Sequence, residues 1–159
     1  MTYEISSKLS CGVLVVDSND KLLLGHVTGK DWWDIPKGTQ EDYEKQITTA
    51  LREMEEESGI VVQEDDLYEI GFCHYNRYKD LWLYILYVDS VDLSKLKCRS
   101  TFTDNLTRCE CPEIDDYKMV PLEEASEYMC GSLKRLFESE LHDDIIKHNT
   151  PNKVTLNYK

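Results

Sequence analysis

The sequence predicts a single α/β domain, and three observations carry that prediction. Short apolar runs of strand character occupy both halves of the chain, a helix of clear 3.6-residue period stands between them, and another follows. No linker, repeat or low-complexity segment divides the 159 residues, a length that suits one domain spanning 1–159 with a real core.

Taken in order, Cys11 to Asp17 and Lys21 to Gly25 read as two strands joined by a turn at Ser18-Asn19-Asp20. Trp32 to Ile35 then runs into Pro36-Lys37-Gly38, whose breakers predict a loop. The clearest helix follows: Ile47, Ala50, Leu51 and Met54 recur at i, i+3, i+4 and i+7, with Gly59 as its stop. That stripe should pack on a sheet. Leu67 to Tyr78 and Leu81 to Val88 read as a hairpin turning at Lys79-Asp80. Asp89 to Cys111 has no dominant period and predicts loop with a short strand, and Tyr117 to Val120 predicts a further strand. Pro121, tolerated in a first helical turn, predicts a helix over Leu122 to Met129. Leu133, Leu136, Phe137, Leu141 and Ile145 mark a second amphipathic helix, and Thr150 to Lys159 carries little signal.

Composition narrows the function. The chain is 41% hydrophobic, yet no stretch approaches the ~20 apolar residues a membrane span needs, so no membrane association is expected. Met1 to Lys8 lacks the basic start and apolar core of a secretory leader, which predicts a cytosolic protein. The six cysteines are scattered, and Cys109-Glu110-Cys111 lacks the spacer of common zinc sites, so reduced thiols without metal are expected. A net charge of −13 disfavours a surface that tracks long nucleic acid, because such binding relies on clustered Lys and Arg. A small phosphorylated substrate remains compatible, since divalent cations can bridge carboxylates to phosphates. Nothing in the pattern fixes an oligomeric state.

The acids cluster at one place. Glu53, Glu56 and Glu57 stand at i, i+3 and i+4 and share one side of the predicted helix. In so acidic a chain a run of Glu is commonly a solvated face, but three carboxylates within one turn repel unless a cation sits on them. Hard oxygen ligands suit Mg²⁺ or Mn²⁺ better than a soft metal.

The whole pattern decides between these readings. Gly38, Glu44, Arg52, Glu53, the apolar Met54, Glu56, Glu57, Gly59 and the apolar Ile60 resemble the Nudix box at every specified position. The resemblance implies an α/β/α sandwich with a mixed sheet, a catalytic loop-helix-loop, and a hydrolase that cuts a pyrophosphate bond in a nucleoside diphosphate linked to another group. It further implies Mg²⁺, with Mn²⁺ as a substitute, held by Glu53, Glu56, Glu57 and the Gly38 carbonyl, and an Arg52–Glu44 ion pair bracing the loop. The base is left open between Glu53, Glu56 and Glu113, because Pro112-Glu113 ahead of Ile114 to Leu122 resembles a late segment of the dinucleoside polyphosphate hydrolases.

Two fragments bear on substrate. Trp33-Asp34-Ile35-Pro36-Lys37-Gly38 resembles the lead-in of the diadenosine polyphosphate hydrolases, which implies a phosphate contact for Lys37. The family also associates a tyrosine downstream of the box with these substrates; Tyr78 stands at that spacing and Tyr75 just short of it, either a stacking platform for a base or a packed strand residue. Dinucleoside polyphosphates therefore lead. ADP-ribose, flavin or nicotinamide dinucleotides, nucleoside triphosphates, diphosphoinositol polyphosphates and RNA 5′ ends follow, and a non-catalytic binding module is the contrasting class.

Overall fold

The computed structural model describes residues 8–159; Met1 to Ser7, most of the segment read above for a leader, lie outside the described residues. Strands β1 (Lys8–Val16) and β2 (Lys21–Val27) flank a turn tied by the Asp17 carboxylate, which accepts the amides of Asn19 and Lys21 at 2.9 and 3.0 Å. They pair with each other at Val16 opposite Leu22, and the segment that follows fills the space between them further along. Its two ends are strands, β3 (Trp33–Asp34) on β2 and β4 (Lys37–Thr39) on β1. The predicted loop is thus confined to Ile35-Pro36, because on either side of that break the backbone finds a strand to pair with. Gly12 permits the insertion: a Cβ there would stand 2.6 Å from both the Pro36 carbonyl oxygen and the Lys37 Cβ.

Helix α1 (Gln46–Ser58) ends where Gly59 adopts a left-handed φ of 81° and its amide caps the Glu55 carbonyl. After β5 (Ile60–Val61), strands β6 (Tyr68–His74) and β7 (Lys79–Tyr87) form the expected hairpin. Its turn falls earlier than the sequence predicts. The Asn76 carboxamide accepts the amides of Tyr78 and Lys79 at 2.8 and 2.9 Å, so Lys79 and Asp80 belong to β7.

The stretch expected to hold one short strand holds two, the hairpin β8 (Thr101–Thr103) and β9 (Glu110–Pro112). It leads into β10 (Ile114–Pro121). Pro121 closes this strand opposite Lys21 rather than opening a helix. The predicted helix over 122–129 is a turn and one 3₁₀ turn at Ala125–Tyr128, because the Leu122 amide bonds the Asp20 carbonyl at 3.1 Å and ties the chain to the β1–β2 turn. Helices α2 (Gly131–Leu136) and α3 (His142–Lys147) join through a π turn at Phe137–Leu141, and all five predicted apolar positions are buried. Strand β11 (Asn157–Tyr158), in the tail that carried little signal, pairs with β5.

The main sheet runs β10-β2-β1-β7-β6, with β1 and β7 parallel and the other neighbours antiparallel. It is the mixed sheet of an α/β/α sandwich. Along β1 the residues alternate: Cys11, Val13 and Val15 join Ala50 and Met54 of α1 in one core, whereas Leu14 and Val16 join Leu133, Phe137 and Ile145 in the other. Both helical layers therefore dock on a sheet buried on both faces at its centre. Among the described residues no helix is long and apolar enough to cross a membrane, which says nothing of a β-barrel. All six cysteines are free thiols.

Candidate active site

Because Ala50 and Met54 turn one side of α1 into the core, its acids are left to face the segment that fills the splay between β1 and β2. Arg52 clamps the two together. Its Nε and Nη2 reach both carboxylate oxygens of Glu44 at 2.8 and 2.9 Å, Nη2 also donates to the Thr39 carbonyl at 3.2 Å, and Nη1 donates to Glu53 Oε1 at 2.8 Å. The same Nη1 lies 3.3 Å from Glu56 Oε2. Glu44 further accepts the Glu41 amide and the Thr49 hydroxyl, each at 3.0 Å. Its bonds to Arg52, above all, outweigh desolvation and bring its pKa down from 4.5 to about 2.

Lys37 and Gly38 bring β4 against the helix. The Lys37 amide donates to Glu57 Oε1 at 2.9 Å, and a Cβ at position 38 would overlap the Glu53 carboxyl group, so glycine is required for close approach rather than for an unusual φ. Burial raises the pKa of Glu53, with Arg52 opposing it and Glu56 and Glu113 adding to it. Burial likewise pushes Glu57 well above its ordinary value, against the Lys37 amide. Both groups thus sit where carboxylate charge is held at a cost.

These side chains line one cleft of ≈ 560 Å³ that contains Lys37, Gly38, Glu53, Glu56, Glu57 and Glu113. Glu113, far along the chain, arrives between β9 and β10; its amide bonds the Ser100 carbonyl at 3.0 Å and its carboxylate lies 3.4 Å from the Ser100 hydroxyl. The donor set is all hard oxygen, which fits Mg²⁺ or Mn²⁺, and a cation would offset the charge that burial and mutual repulsion disfavour on Glu53 and Glu57. As arranged, Arg52 and the Lys37 amide occupy these carboxylates, and among the described residues no three Asp, Glu, His or Cys side chains close around a common point.

The substrate residues expected from sequence are placed less uniformly. Lys37 lines the cleft, but its Nζ is paired with Asp34 at 3.0 Å; burial opposes that charge, and Asp34 with Glu57 outweighs burial and raises its pKa. Tyr75 lies outside the cleft lining, its hydroxyl 3.1 Å from Cys130 Sγ and its ring 5.9 Å from Lys37 Nζ. Tyr78, 73% exposed in the β6–β7 turn, is also not among the lining residues. Sequence reading missed Asp34 as the partner of Lys37, although the two are separated by one helical turn's worth of chain. It also missed Tyr117, whose hydroxyl donates to the Glu57 carbonyl at 2.6 Å and steadies the end of α1. No local pattern marks Tyr117, since its role arises only when β10 pairs with β2 and its side chain reaches the end of α1.

A family model of the NUDIX domain matches residues 7–139. The chain belongs to the Nudix family, a class of hydrolases acting on pyrophosphate bonds. No curated protein sequence matches it. Its fold is shared with the NUDIX domain of Shewanella oneidensis NrtR complexed with ADP ribose, at TM-score 0.65 and 12% identity over 88% of this chain and 89% of that one. It is likewise shared with a C. elegans Ap4A hydrolase, at TM-score 0.58 and 19% identity over 84% and 98% of the two chains. A MutT/nudix family protein from Enterococcus faecalis matches at TM-score 0.58 and 17% identity; 75% of this chain corresponds to only 45% of that longer one.

Proposed function

We propose that the cleft hydrolyses a phosphoric anhydride bond in a nucleoside diphosphate linked to another moiety, with dinucleoside polyphosphates as the leading substrates. One observation carries the reading: Glu53, Glu56, Glu57 and the distant Glu113 line a single cleft whose loop and helix are braced by Arg52 and Glu44. Such convergence of acids is costly in the absence of cations, and a solvated acidic face does not require it.

Glu53, Glu56, Glu57 and the Gly38 carbonyl are the groups that would hold Mg²⁺ or Mn²⁺. When bound, the cation supplies positive charge that offsets the phosphate oxygens and eases attack by water. Arg52 bonds Glu53 and lies within ion-pair distance of Glu56, and Gly38 lets the Glu53 carboxylate lie against the backbone, so both carboxylates are held at the cleft. A carboxylate must accept the proton of the attacking water, and Glu113 is our first assignment because its amide and carboxylate are both tied to Ser100 at the cleft wall, off the acidic helix. Glu113→Gln should lower kcat with little change in Mg²⁺ dependence. An unchanged rate across the pH profile would return the role to Glu53 or Glu56.

The lead-in ending at Lys37-Gly38 supports dinucleoside polyphosphates, and Lys30 and Lys79 add positive charge to the cleft lining. One panel tests the assignment: product release from dinucleoside polyphosphates, ADP-ribose, FAD, NADH and nucleoside triphosphates with Mg²⁺ and Mn²⁺ in turn. A diadenosine polyphosphate should show the highest kcat/KM. If it is the poorest substrate, ADP-ribose or flavin dinucleotide takes its place.

A further inference from the structure

The cleft has an apolar wall that neither the acids nor the tyrosines account for. Phe102, at the centre of β8, lines the cleft and remains 38% exposed, although a Phe side chain ordinarily gains about 2–3 kcal/mol by full burial. Its cross-strand partner is Cys111, and the hairpin is pinned by Glu110, whose carboxylate accepts the hydroxyls of Thr101 and Thr103 at 2.5 and 2.9 Å. By strand alternation Thr101 and Thr103 stand on the face opposite Phe102, so the pinning leaves the ring free on the cleft side.

The hairpin is also fixed to the catalytic helix. The Lys97 and Arg99 amides bond the Ser58 and Glu56 carbonyls at 3.1 and 2.7 Å, and the opposite strand leads within one residue of Pro112 to Glu113. Phe102 therefore holds a set position relative to the acids, with a phosphate-binding end and an aromatic end in one concavity. A ring presented this way offers a flat apolar face to a planar ligand group.

We infer that Phe102 is a substrate-binding residue: its ring stacks on the nucleobase of a nucleotide whose phosphates lie at Glu53, Glu56 and Glu57. The inference rests on the nucleotide reading above and assigns the base contact to the β8–β9 hairpin in place of Tyr75 or Tyr78. The base slot accepts purines and pyrimidines by their faces, because stacking carries little hydrogen-bond discrimination.

Calorimetric binding of adenosine 5′-(α,β-methylene)diphosphate, which resists cleavage at its α,β bridge, separates this from turnover. Phe102→Ala should weaken its Kd by about 5- to 150-fold, the range for one lost base stack. Phe102→Tyr should restore binding to near the wild-type value, and Leu106→Ala at the 94% exposed hairpin tip should leave it unchanged. Methylenediphosphonate, which carries no base, should bind wild type and Phe102→Ala alike. Equal loss of both ligands, equal binding of the nucleotide analogue by Phe102→Ala and wild type, or no saturable binding by the wild type would overturn the inference. If the analogue binds through Phe102 while no member of the substrate panel is cleaved, the hydrolase assignment falls and the base contact stands.

Discussion

At the scale of single residues, Glu57 and Gly38 bear the sharpest consequences. Glu57→Gln keeps an oxygen for the Lys37 amide but removes a negative charge from the proposed cation site, so turnover should fall by at least about 100-fold, the upper end of what even outer partners of a metal ligand cost. Thermal melting should be preserved or raised, because a buried carboxylate beside other acids is lost. Wild-type turnover by this variant at limiting Mg²⁺ would remove Glu57 from the site. Gly38→Ala should act differently. The new methyl group displaces the Glu53 carboxylate, and a misplacement of that order costs roughly 100-fold in rate. Steady-state kinetics beside a melting curve would reveal it, and a rate within a few-fold of wild type would show that Glu53 need not lie where it does.

At the scale of elements, the Arg52–Glu44 clamp joins loop to helix, and its loss should register in stability as well as rate. Arg52→Ala leaves the Glu44 carboxylate, only 3% exposed, without its main partner, and about 3 kcal/mol of stability should go with it. Chemical denaturation measures this directly; normal unfolding would mean the clamp braces nothing. The pair also sets a pH window. Glu44 has a folded pKa of about 2, depressed from 4.5, so its contribution is fully present above about 4.5 and is lost as pH falls toward 2. Melting temperature in Glu44→Gln should therefore start lower at neutral pH and decline less steeply between pH 5 and 2 than in wild type. Parallel declines would assign acid sensitivity to other groups.

For the whole molecule, 31 acidic against 18 basic residues give a net charge of −13, and part of that excess is concentrated in one cleft. A divalent cation bound there should stabilise the fold by mass action, about 2.7 kcal/mol at a concentration a hundred times its Kd. Melting in Mg²⁺ should exceed melting in EDTA, and the difference should shrink in Glu57→Gln. Sodium chloride at matched ionic strength is the necessary comparison: an equal rise there would mean general screening of surface charge.

Periodicity and spacing carried the local part of this molecule. Helix α1 with its Gly59 stop, the apolar stripe of α2 and α3, and the strands on either side of Asp17 were all legible, because each depends on contacts within a few residues, whereas the box from Gly38 to Ile60 was legible through its resemblance to a family pattern. Where a segment's partner lay far along the chain, the sequence was silent or misleading. Pro121 ends a strand because β2 lies beside it, and the Asn76 side chain moves a turn that apolar patterning alone puts at Lys79. The site divides in the same way. The three helix glutamates share a face by the geometry of any α-helix, whereas Glu113, Tyr117 and Phe102 come to the cleft or to α1 through strands and a hairpin paired across long separations. Tertiary structure alone decided that Phe102 rather than Tyr75 or Tyr78 lines the cleft, because the placement of a strand's side chains is set by register, which one strand cannot specify without its neighbour.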